Sequence, residues 1–199
     1  MLDAQLQQHL LACEALVVGA SAGGVEALNL LLPVVPEVPR VPVVVVVHLP
    51  PNRRSLLPEI FATRCLAPVR EPIDKQPIGA GVWFAPPNYH LLFEGDRSFA
   101  FSTDLPLNFS RPSLDVLFES AADVFGASLC CIVLTGANED GAQGARAVRR
   151  KGGLVIVQDP ESAHARQMPS AAISRANPQI IASLPEIGQL IALATRSAP

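Results

Sequence analysis

The chain has 199 residues, 49% of them hydrophobic and 17% charged, against about 25% charged in an average globular domain. One domain accounts for that length, with a core large enough to need no disulfide or structural metal, and disordered, coiled-coil and acidic-tail proteins are excluded. The 15 basic residues fall short of the 18 acidic ones, for a net charge of −3, so a nucleic-acid partner is not expected.

No apolar run approaches the roughly 20 residues of a membrane span. No Lys or Arg precedes Arg40, which leaves the amino terminus without the basic region of a signal peptide. A cytoplasmic protein without membrane insertion is expected. Cys13, Cys65, Cys130 and Cys131 make no C-x-x-C or Cys/His spacing and read as core thiols rather than metal ligands.

Leu2, Leu6, Leu10 and Cys13 recur at helical intervals and predict a helix over 2–14, packed on the domain or left from a linker. A strand over 15–18 runs into Gly19-Ala20-Ser21-Ala22-Gly23-Gly24, and a helix over 25–32 is stopped by Pro33. A strand over 43–47 ends at His48. Strand, helix and strand within some 30 residues make a βαβ unit, hence parallel pairing and a right-handed crossover. Pro50 and Pro51 break the chain before a helix over 56–65.

Residues 66–106 differ, with short apolar runs at 81–85, 89–93 and 98–102 divided by Gly and Pro. The stretch 91–101, turning at Gly95-Asp96, predicts an antiparallel hairpin. A helix over 113–125, entered at Pro112 or Ser113, precedes a buried strand over 129–134. A helix over 141–151 follows, closed by Gly152-Gly153. Then come a strand over 154–157, a helix over 168–176 entered through Pro169, a short strand at 180–181 and a helix over 187–194. The alternation predicts an α/β fold: a doubly wound, mostly parallel sheet with helices on both faces and an antiparallel edge hairpin.

Ligands of such sheets bind at the carboxyl ends of the strands. Ser21, His48 and Asp140 all follow strands and so converge on one edge. A serine needs a base to take its proton, and an imidazole needs a carboxylate to fix its tautomer, so the set suits acyl transfer. Gly19-Ala20-Ser21-Ala22-Gly23 also reads G-x-S-x-G, a serine on a tight strand-to-helix turn before a helix whose free N–H groups suit an oxyanion. The order Ser, His, Asp differs from the Ser, acid, His of α/β-hydrolases. Other readings of the same residues are a dinucleotide loop, which would need Gly at position 21 and an acidic residue where His48 stands, and an N-cap role for Asp140 at the following helix.

The ordered runs Val17-Val18-Gly19-Ala20-Ser21-Ala22-Gly23-Gly24, Val47-His48-Leu49-Pro50-Pro51, Phe84-Ala85-Pro86-Pro87, Arg111-Pro112-Ser113-Leu114-Asp115-Val116-Leu117-Phe118, Leu134-Thr135-Gly136-Ala137-Asn138-Glu139-Asp140-Gly141 and Met168-Pro169-Ser170-Ala171-Ala172 make the chain resemble the catalytic domain of CheB-type chemotaxis protein-glutamate methylesterases. The resemblance spans 15–194. It implies a serine hydrolase that demethylates glutamate methyl esters on chemoreceptor helices, releases methanol and deamidates some glutamines, without cofactor or metal. It further implies Ser21 as nucleophile, His48 as base and Asp140 as its carboxylate, with oxyanion donors at Ala22, Ala137 and Asn138, and Arg111 and Met168 near the substrate.

Three departures accompany the resemblance. Ala22 stands where the family commonly has Thr, Ala137-Asn138-Glu139 replace a Met-Gly stretch, and Asn108-Phe109-Ser110-Arg111-Pro112 stand for Asn-Arg-His-Arg-Pro. The implied partner is a methylated receptor with an acidic helical segment. Arg53, Arg54, Arg146, Arg149 and Arg166 are the candidates to meet it, or else they line solvated faces. Residues 1–14 are too short for the receiver domain that usually precedes such a domain, so regulation by a separate receiver protein and a fragment of a longer chain both remain open. A serine esterase with another substrate, or an inactive receptor-binding module, are the alternative functions.

Overall fold

A computed structural model describes residues 3–49 and 54–197. Seven parallel strands form the main sheet in the order β3-β4-β2-β1-β7-β8-β9. They are β1 Ala15–Ala20, β2 Val43–Val47, β3 Val69–Arg70, β4 Val82–Phe84, β7 Leu129–Val133, β8 Leu154–Gln158 and β9 Ile180–Ala182. β5 His90–Phe93 and β6 Phe99–Ser102 make the expected antiparallel hairpin, as a separate two-stranded sheet.

Every residue of β1, β2, β7 and β8 is buried, which explains why these strands read as unbroken apolar runs rather than alternating ones. Their side chains still alternate between two cores. Leu16, Val18, Val43, Val45, Cys130, Ile132 and Ile156 enter one core, beneath helices α1 Ala4–Ala12, α2 Gly24–Leu31, α3 Leu57–Ala62 and α7 Leu184–Thr195. Val17, Val44, Val46, Cys131, Val133, Val155 and Val157 enter the other, beneath α4 Leu114–Phe125, α5 Ala142–Arg150, α6 Gln167–Ala176 and the hairpin. Cys130 and Cys131 are therefore core residues, and burial holds both thiols well above their ordinary pKa.

The amino-terminal helix is docked. Leu10 is fully buried, and the Arg40 guanidinium donates to the carbonyls of Cys13, Leu10 and Ala194 at 2.8, 3.2 and 2.7 Å, tying α1 to α7. The expected helix over 56–65 is shorter, because the chain turns at Thr63. The terminal helix is longer, because Ser183 and Glu186 form a capping box ahead of the expected start. Among the described residues, no helix is long and apolar enough to cross a membrane.

Candidate active site

The sheet reverses its winding at β1, whose neighbours are β2 on one side and β7 on the other. Open α/β sheets bind ligands just beyond the strand ends at such a point. Ala20 pairs with Val47 and Gly19 with Val133, so Ser21, His48 and the loop after β7 emerge together. The Ser21 amide donates to the Thr135 carbonyl at 2.9 Å and the His48 amide to the Ala20 carbonyl at 3.2 Å, fixing both residues at the rim.

Asp140 is wholly buried, and its Oδ2 accepts a hydrogen bond from His48 Nε2 at 2.7 Å. Asp140 does not cap the helix that follows it, since α5 has Gly141 as its N-cap at φ +88°. It caps a different helix instead. The amides of Leu114 and Asp115 in the first turn of α4 donate to it at 2.6 and 3.2 Å, and the Ser113 hydroxyl donates at 2.7 Å. The expected cap, Ser113, thus turns its hydroxyl to the carboxylate rather than to its own helix. Burial opposes ionisation of Asp140, but the His48 bond, the Leu114 amide and the Ser113 hydroxyl outweigh it and hold the carboxyl below its ordinary pKa. The positive end of α4 acts in the same direction.

With Nε2 engaged by Asp140, Nδ1 is the imidazole nitrogen left to exchange a proton. Asn138 Nδ2 approaches it at 3.5 Å. Among the described residues, no hydrogen bond joins the Ser21 hydroxyl to the imidazole; strand register brings the two to one rim without closing that contact. The amides of Ala22, Ala137 and Asn138 donate to no protein acceptor among the described residues.

The glycines flanking Ser21 serve the fold. A Cβ on Gly19 would lie 2.0 Å from Leu114 Cδ2, so its absence lets α4 settle on β1 with its first turn against Asp140. Gly23 has φ +77°, and a Cβ there would meet His164.

Four residues of the rim have no role in the reading of the sequence alone. The Thr135 hydroxyl donates to the Ala22 carbonyl at 2.8 Å and accepts from the Ala165 amide at 2.9 Å, tying the serine turn to the segment before α6. Asn108 Nδ2 sits between two buried carboxylates, 3.1 Å from Asp115 Oδ2 and 3.3 Å from Asp140 Oδ1. Asp115 Oδ1 accepts from the Gly144 amide at 2.7 Å. Burial, opposed by that amide and reinforced by the Asp140 charge, pushes Asp115 up to about 6. The fourth, His90, is buried between the Leu105 carbonyl and the Ser113 amide, and so pins the 105–112 loop to α4.

A cavity of about 350 Å³ opens beside His48, walled by Leu49, Pro106, Phe109, Ser110 and Arg111. A larger groove, about 590 Å³, runs along β9 between α1 and α7, and none of the rim residues lines it. Arg111 reaches the cavity, although its guanidinium donates to the Thr103 and Asp104 carbonyls at 2.8 and 3.0 Å. Met168 does not reach it: the side chain is fully buried under Gly136 and shapes the loop from below. None of the other described candidate arginines lines this cavity. Arg54 pairs with Glu59, Arg166 with Glu161, and Arg149 donates to the Asn177 carbonyl. Arg146 lies on α5 away from the cavity walls, and Arg53, Pro50 and Pro51 lie outside the described residues.

Fold and rim define a class: a doubly wound α/β protein with a serine and an imidazole–carboxylate pair at the strand ends, the residue set of a serine hydrolase. The model of the family described as CheB methylesterase matches residues 16–191, and the chain belongs to that family. A Leptospira interrogans protein named putative protein-glutamate methylesterase/protein-glutamine glutaminase is 43% identical over 178 residues, covering 89% of this chain and 92% of its own. A Trichodesmium erythraeum protein-glutamate methylesterase/protein-glutamine glutaminase is 36% identical over 160 residues, and the match spans 46% of that protein. The Thermotoga maritima CheB methylesterase catalytic domain superposes with a TM-score of 0.85 at 28% identity, over 90% of this chain and 97% of that one.

Proposed function

We propose that this chain hydrolyses the methyl esters of glutamate side chains on helical cytoplasmic segments of chemoreceptors, and deamidates glutamines at such positions by the same route. The observation that carries the reading is the 2.7 Å bond from His48 to the buried Asp140, on the rim to which β1 delivers Ser21. In the cycle, Ser21 Oγ attacks the ester carbonyl as its proton passes to His48 Nδ1. The tetrahedral oxyanion takes hydrogen bonds from the free amides of Ala22, Ala137 and Asn138. His48 returns the proton to the departing methoxide, and methanol leaves an acyl-serine. Water, deprotonated by His48, attacks the acyl-serine, releasing a glutamate carboxylate and restoring the serine. With glutamine, ammonia leaves in place of methanol. Asp140 holds one imidazole tautomer throughout and stabilises the cation formed in each half.

The site of action in this reading is the cytoplasm, and a separate receiver protein is the proposed regulator. The test is methanol release from a methylated receptor fragment by the wild type and by Ser21→Ala. Release confined to the wild type supports the reading, and equal release from both ends it.

A further inference from the structure

Phe109 is wholly exposed. Its φ is +62° and that of Asn108 is +48°, a left-handed pair that aromatic residues rarely enter. The loop beneath is nonetheless firmly held. Asn108 donates to Asp115 and Asp140, Leu107 and Ser110 exchange backbone hydrogen bonds at 3.1 and 2.8 Å, and His90 anchors the Leu105 carbonyl. Those bonds fix the loop while the ring itself is left in water, so the fold gains nothing from it. Leu105 and Leu107 of the same loop are exposed as well.

The ring walls the same cavity as His48. His48 and Phe109 line one cavity, and Ser21 lies on the same rim, so a segment that presents its ester carbonyl to the imidazole brings its neighbouring side chains to Phe109. Charge does not suit that segment's neighbours, because Arg111, the one Lys, Arg, Asp or Glu among the described wall residues, is occupied by backbone carbonyls.

We propose that Phe109 is a specificity-determining residue: it packs on an apolar side chain next to the esterified glutamate and selects segments with apolar over acidic neighbours. The inference rests on the methylesterase reading. On a helical substrate the relevant neighbours lie three and four residues from the ester.

The test uses two helical peptides, each with one glutamate methyl ester, flanked at those positions by leucine in one and glutamate in the other. The readout is the ratio of their kcat/KM values for the wild type, Phe109→Ser and Phe109→Arg. A wild-type ratio of about tenfold or more for the leucine peptide is expected, falling to near one in Phe109→Ser and inverting in Phe109→Arg. A wild-type ratio near one, or a ratio unmoved by Phe109→Ser, overturns the proposal. Binding of the same peptides to Ser21→Ala, with and without Phe109→Ser, is measured by fluorescence anisotropy. Should the wild type hydrolyse neither ester, the methylesterase reading falls and the affinities decide the role of Phe109. A leucine preference lost with Phe109→Ser sustains that role; equal affinities end it.

Discussion

His48 donates through Nε2 to Asp140, and Asp140 in turn takes the first-turn amides of α4. The imidazole is therefore anchored, through Asp140, to the first turn of a helix that packs on β1, not to the backbone of its own loop. Replacing Asp140 by Asn presents an N–H to at least one of these donors and frees the imidazole to take the other tautomer. The expected result is a fall in kcat of about 10³–10⁴-fold, read by methanol release. A loss of about 1–3 kcal/mol of stability should accompany it, because buried donors lose their acceptor; a denaturation curve checks that part. Retention of wild-type kcat would refute the positioning role.

Gly19→Ala tests how α4 is seated. The new Cβ would fall 2.0 Å from Leu114 Cδ2 and 2.6 Å from its Cγ. Leu114 is fully buried and cannot swing aside, so either the side chain leaves its rotamer or the helix shifts away from β1. Overpacking of this kind costs about 1–3 kcal/mol. The urea midpoint should fall with an unchanged slope, and kcat should fall as well, because the Leu114 amide moves off Asp140.

Much of this arrangement is legible in the sequence, and what is not legible has physical reasons. Val43–Val47 can only be a strand buried on both faces, and strand-end placement alone gathers Ser21, His48 and Asp140. The end of β1 is hidden because Gly19 and Ala20, both in the strand, have turn-like composition. β3 escapes notice because it is two residues long and only half-buried. Asn108, Asp115 and Thr135 stay silent for another reason: each acts through hydrogen bonds to residues distant in the chain, and no local spacing encodes those bonds. Arginine positions likewise do not reveal which guanidinium groups pair within the protein, as Arg54 does with Glu59 and Arg166 with Glu161.

Thr135→Val keeps the shape of the side chain and removes its hydroxyl. The Ala22 carbonyl then loses a donor at 2.8 Å and the Ala165 amide an acceptor at 2.9 Å. A loss of about 1–3 kcal/mol is expected for the unsatisfied amide. Because the same hydroxyl holds the Ala22 peptide, kcat should drop more than KM rises. Thr135→Ser should restore most of both, and failure of that rescue would point to packing of the methyl group instead.

Asp115 allows a test by pH. Its carboxyl is buried and pushed up to about 6, by burial first and by the Asp140 and Glu119 charges after it, despite the Gly144 amide. A group with a raised carboxyl pKa is protonated in the folded state over a range where the unfolded chain has lost the proton. From about pH 4 to about pH 6 the folded state thus binds more protons, and stability falls as pH rises through that window. Above it the penalty is complete. Asp140 has the opposite sign: its lowered pKa contributes stability at neutral pH that is lost only as pH falls below the ordinary carboxylate range. Asp115→Asn removes the first effect and leaves the second. The variant should therefore gain on the wild type between pH 5 and pH 8, by about 1 kcal/mol for a shift of this size. Urea denaturation of both proteins at the two pH values measures the difference. An unchanged gap would mean that Asp115 is already charged at pH 5 in the folded protein, and that Asn108 bridges two carboxylates.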